Sequence, residues 1–195
     1  MKKKNLILGI ITAVCFLWMP VNGVRAAITG KMFESGDIIA IVFALLLVLA
    51  GVVLIIGALF GARIVAGIGA VLFLIPQAYS IYVYIMQLQQ DLPDEAKKSF
   101  RSLILSSAIM ILAFLFLALA CFDDKRDLAF CIIGVLLFVA WFFVRNSQLA
   151  AEAPKLPLIL TAVGSILGTI LLGVSMAVQG KKKKEAALTH TDATV

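Results

Sequence analysis

Side chains able to do chemistry are few in this sequence, and most are placed where they cannot act together. The one histidine, His190, lies in a polar tail. Ser-His-Asp or Cys-His catalysis and histidine-based metal sites would all have to recruit it, and a tail end fixes no imidazole geometry. No HExxH, GxSxG, P-loop or GxGxxG pattern occurs. Cys15, Cys121 and Cys131 are odd in number and lack CxxC spacing, so they read as small apolar fillers. A Cys121 to Cys131 disulfide is the alternative, disfavoured by a cytoplasmic placement of the turn between them. That turn, Cys121-Phe-Asp-Asp-Lys-Arg-Asp-Leu128, gathers Asp123, Asp124 and Asp127 around Lys125 and Arg126. Paired carboxylates can hold Mg²⁺ against a lipid phosphate. Such sites draw carboxylates from more than one element, however, and the simpler reading is a self-neutralising turn between two apolar runs. The expectation is a protein that is not an enzyme and holds no cofactor or metal.

Four other groups of residues stand out. Pro76 removes a backbone donor, leaving the carbonyl of Leu72 unpaired, and Gln77, Ser80 and Tyr84 follow on one helix face, so a kinked polar face there could line a small cavity. Gly164 and Gly168 form a GxxxG pair flanked by Thr161, Ser165 and Thr169, a small and hydroxylated stripe that lets another backbone approach closely. Gly57 and Gly61, with Ala58, Ala62 and Ala66, make a second small-residue seam across a tight hairpin. Finally, Lys181, Lys182, Lys183 and Lys184 form a juxtamembrane cluster suited to anionic lipid headgroups.

The elements that must position these residues are set by composition. Of 195 residues, 63% are hydrophobic and 14% charged, and the mean hydropathy is +1.09, which excludes a soluble domain. Net charge is +6, but Lys2 to Lys4 and Lys181 to Lys184 account for seven of the 17 basic residues, a pattern of membrane orientation and not of nucleic-acid binding. Residues 1–26 have a secretory layout: lysines, an uncharged run from Leu6 to Met19, Pro20, and Val24-Arg25-Ala26 before Ala27. Cleavage after Ala26 is expected; retention would add a sixth helix.

Five uncharged runs follow, at 38–60, 64–86, 102–122, 128–144 and 158–178. Hydrocarbon offers the backbone no hydrogen-bond partners and the runs lack the alternation of barrel strands, so helices are required. The fold class is therefore all-α: a polytopic transmembrane helical bundle of five membrane-spanning helices after a cleaved signal peptide, six if it is retained. The fourth run, with 17 residues, must stand upright or borrow from its flanks. Residues 94–101 carry a helical charge pattern that predicts a short interfacial helix, and 179–195 form a polybasic cytoplasmic tail. Short connectors make successive helices antiparallel neighbours. Trp141, Phe142, Phe143, Tyr82 and Tyr84 fit an interfacial aromatic belt.

The hairpin at 38–86, with the signal before it, resembles the pilin-like subunits of type IV secretion systems in topology. None of the spans holds Asp, Glu, Lys, Arg or His, which argues against pumps and ion-coupled transporters. The expected function is a structural or accessory subunit of a larger assembly in the bacterial cytoplasmic membrane, its C-terminus cytoplasmic. Its partners would be membrane lipids and other membrane subunits or a second copy of itself, without nucleic acid. A passive pore or small-solute transporter using the Pro76 face is the alternative.

Overall fold

A computed structural model describes residues 3–29, 38–123, 125–149 and 155–192 of the chain. Asp124 and the side chains of Lys181 to Lys184 and His190 lie outside the described residues, and so do the expectations placed on them. The chain is all-helical, with seven helices among the described residues: α1 (Lys3–Phe16), α2 (Trp18–Thr29), α3 (Ile38–Phe60), α4 (Arg63–Leu88), α5 (Asp94–Phe122), α6 (Asp127–Gln148) and α7 (Leu156–Asp192). Five of them, α3 to α7, are long and apolar enough to cross a membrane; Leu6–Val21 is a shorter apolar helical stretch.

The boundaries follow from local chemistry. α3 ends in a Schellman turn: the N–H of Ala62 donates to the Gly57 carbonyl (2.8 Å) and that of Gly61 to Ala58 (3.3 Å), with Gly61 at φ 65°. A left-handed residue at that point requires glycine, so Gly61 serves the turn. α5 begins at Asp94 behind Pro93, with Asp94 and Glu95 in its positive first turn. The interfacial helix expected at 94–101 is therefore the first part of α5 and runs into the span unbroken. α6 has 22 residues, reaching past the 17-residue run on both sides and clearing the bilayer requirement. α7 continues beyond the apolar run as far as Asp192, because Lys, Glu and Ala at 181–187 are strong helix formers with no proline among them.

The N-terminal helix breaks at Leu17, three residues before Pro20. The proline ring collides with the carbonyl four residues back, that of Phe16, so the interruption falls there and not at the proline itself. Leu17 bridges the gap, its N–H shared between the Ala13 (3.1 Å) and Val14 (3.2 Å) carbonyls.

Helices α3 to α7 pack in sequence order, each against its neighbours, and α1 with α2 fills the remaining gap between α3 and α7. The result is a closed ring. Its interior is aromatic: Phe73 stacks on Phe114 (centroids 4.4 Å), Phe114 meets Phe138 edge-on (5.4 Å), and Phe16, Leu54 and Leu117 are fully buried beside them. The outer face is apolar too, with Leu45, Phe60, Ile64, Leu136 and Phe143 more than half exposed, the surface that lipid tails solvate. Within the expected aromatic belt, Tyr82 and Phe143 are outward, whereas Trp141 is buried in the bundle.

Candidate functional site

The groove between α3 and α7 is where the small residues of the sequence converge. A side-chain carbon on Gly164 would run into the carbonyl oxygen of Cys15, and one on Gly168 would lie 2.8–3.0 Å from the ring carbons of Phe16. Across the groove, a side-chain carbon on Gly51 of α3 would lie 2.7 Å from the Cδ of Pro20, and one on Gly9 of α1 2.5 Å from the carbonyl oxygen of Leu59. Glycine on both walls lets three backbones approach closely, which dispersion rewards in lipid, where no hydrophobic force separates helix from tail. The Gly164/Gly168 stripe thus receives the protein's own N-terminal segment. Trp18 secures it by donating its indole N–H to the Pro157 carbonyl (3.0 Å).

The seam at the first hairpin closes α3 on α4. A side-chain carbon on Gly57 would strike the backbone of Ala66, and one on Gly69 that of Leu54, so the two helices meet backbone to backbone. Phe43 stacks on Tyr79 (3.9 Å) further along the same pair.

The hydroxyls flanking the glycine stripe turn inward on their own helix. Thr161 donates to Pro157 (2.8 Å), Ser165 to Thr161 (2.7 Å) and Thr169 to Ser165 (2.7 Å), each to a carbonyl four residues back. Ser165 and Thr169 are fully buried, and Thr12 of α1 does the same with Leu8 (2.8 Å). A buried hydroxyl satisfied this way costs little and leaves its neighbours an apolar surface.

The Pro76 face is arranged similarly. Pro76 is buried, Ser80 donates to the Pro76 carbonyl (2.9 Å), and Tyr84 packs near Phe100 (6.1 Å). Gln77 is half-buried. A cavity of about 460 Å³ opens elsewhere, between α6 and α7, lined by apolar residues including Leu128, Val135, Ile170 and Val174.

Two polar clusters escaped the sequence reading. At one end of the bundle, Arg63 donates to the Ala120 carbonyl at the end of α5 (2.9 Å) and pairs with Asp127 at the start of α6 (3.5 Å), both side chains largely shielded. At the other end, Gln148 of α6 donates to the carbonyl and hydroxyl of Ser102 on α5 (2.8 and 3.0 Å) and accepts from Arg145 (2.9 Å). Their only sequence signal is that charged and amide groups flank apolar runs, which does not say which ones meet. In the acidic turn, Asp123 accepts from the Lys125 N–H (2.9 Å), and Asp127 from that of Leu128 (2.7 Å) as well as pairing with Arg63. Among the described residues no group of three His, Cys, Asp or Glu is placed to hold a metal ion, and Cys15, Cys121 and Cys131 are free thiols. No protein-family model, curated protein or solved structure matches the chain.

Proposed function

We propose that this protein is a non-enzymatic, multi-pass subunit of a larger assembly in the bacterial cytoplasmic membrane, with the polybasic C-terminus on the cytoplasmic side. The observation that carries the reading is the chemically saturated interior. Phe16, Phe114 and Phe138 are fully buried in it, and the hydroxyls of Thr12, Ser165 and Thr169 are already used by their own helices, so these side chains turn no free donor toward a solute. What the molecule does offer is an almost wholly apolar outer wall and a cavity between α6 and α7 that opens on it. Other membrane subunits or a second copy, together with lipid, are its natural partners.

Crosslinking in intact membranes followed by mild-detergent purification tests this. A complex of defined size containing this chain is expected. A monodisperse monomer that raises solute flux in liposomes, with the flux abolished by Gln77→Leu, would overturn it in favour of a pore on the Pro76 face.

A further inference from the structure

The N-terminal segment has the layout of a removable secretory signal, yet in the fold it occupies the position of a core helix. We infer that residues 3–29 are retained and form a sixth membrane-crossing element, and that the groove between α3 and α7 is built to hold them. This stands independently of the subunit reading above.

Four observations converge on it. First, the segment is buried by specific contacts: Thr12, Phe16 and Met19 are at most 5% exposed, as deeply set as the Phe114 and Leu117 of the ring interior. Second, the complementarity is written on the other side of the interface. Gly51 on α3, and Gly164 and Gly168 on α7, are the positions where a side chain would collide with Pro20, Cys15 and Phe16. Two helices distant in sequence carry glycines whose use depends on this one segment. Third, Val24-Arg25-Ala26, the stretch preceding the expected cleavage point, lies within hydrogen-bonded helix α2, whereas proteolysis concentrates at exposed loops. Fourth, α1 and α2 contribute 14 and 12 helical residues joined through Leu17. At about 1.5 Å per residue that is roughly 40 Å end to end; the apolar stretch Leu6–Val21 covers roughly 24 Å of it, and the flanking turns complete the ~30 Å hydrocarbon core.

The packing also fixes direction. Trp18 meets Pro157 at the start of α7 while Phe16 meets Gly168 further along, so α1 runs antiparallel to α7. A chain crossing this way puts the start of α1 on the face that carries Arg63, Lys125 and Arg126, as a basic-inside bias requires.

The experiment uses the full chain purified from its membrane, read by N-terminal sequencing and intact mass. Residues 1–26 are expected to remain, with at most the initiator Met1 removed. A mature chain beginning at Ala27 overturns the inference, whether or not the 1–26 fragment copurifies. Ala26→Lys removes the small residue that a signal peptidase requires; it is expected to migrate as the parent does, and a heavier species found only in this variant would count against retention. Tags fused at the two ends, probed in sealed vesicles, should report the same side. Opposite sides, or loss of the N-terminal tag, would refute the sixth crossing.

Discussion

Arg63 is the first residue of α4, yet it reaches the last turn of α5 and the first of α6, so one guanidinium ties three helix ends together. Its charge-assisted bond to Ala120 and its pairing with Asp127 are partly shielded, which raises their value above that of an exposed pair. Arg63→Met is expected to lower stability by about 1–3 kcal/mol, seen as a fall in Tm in detergent, with Arg63→Lys only partly restoring it because the ammonium reaches less far than the guanidinium Nη2 that makes both contacts. Glycines offer a sharper contrast. On Gly134 a side-chain carbon would find its nearest neighbour, the Ala113 carbonyl, at 3.6 Å, an ordinary contact, whereas on Gly69 it would strike the Leu54 backbone. Gly134→Ala should be neutral or stabilising by up to about 1 kcal/mol through helix propensity, while Gly69→Ala should lower Tm by prising α3 from α4. Small-residue spacing is a local property, so Gly57, Gly164 and Gly168 stand out in the sequence. Gly51 and Gly69 do not, because nothing near them announces Pro20 or Leu54 as the opposing surface. The same limit applies to Ser80 and Thr161, whose hydroxyls turn back on their own helices where spacing alone suggested a cavity lining and a hydroxylated packing stripe.

Helix by helix, the apolar runs read true where the end is chemically abrupt. α3 stops where expected because Gly61 adopts a left-handed turn, and Arg63 then starts α4. Where polar residues are themselves good helix formers, hydropathy loses the boundary: α5 begins at Asp94 and α7 extends to Asp192 through residues that a bilayer scale discounts. α6 is lengthened for a different reason, a tertiary one. Its last turn is anchored by Gln148 on Ser102, a contact 46 residues apart in sequence that no local pattern encodes. Gln148→Leu is expected to remove about 1 kcal/mol and to let 145–148 fray, read as faster amide exchange confined to that turn. The break at Leu17 follows the same logic in reverse: a proline interrupts a helix not at its own position but at the carbonyl it collides with, so Pro20 acts three residues upstream.

At the level of the whole molecule, the helices close in sequence order, with α1 against both α3 and α7. The all-α class and the five long apolar helices were legible from composition, since charge is confined to their ends and connectors. Ring closure was not, because it depends on the first and last segments meeting, and periodicity carries no information about separation in sequence. Order of synthesis now matters. As the chain leaves the ribosome, every helix from α4 to α6 finds its partner already made, and α1 already has α3. One wall of α1 must wait until α7 emerges. The contact expected to form last is therefore the one farthest apart along the chain, the step that carries the largest loop-closure penalty. A circular permutant that joins the two ends and opens the chain between α4 and α5 would make α7 and α1 immediate neighbours. It should reach its protease-resistant form sooner after synthesis than the natural order does, measurable by pulse labelling.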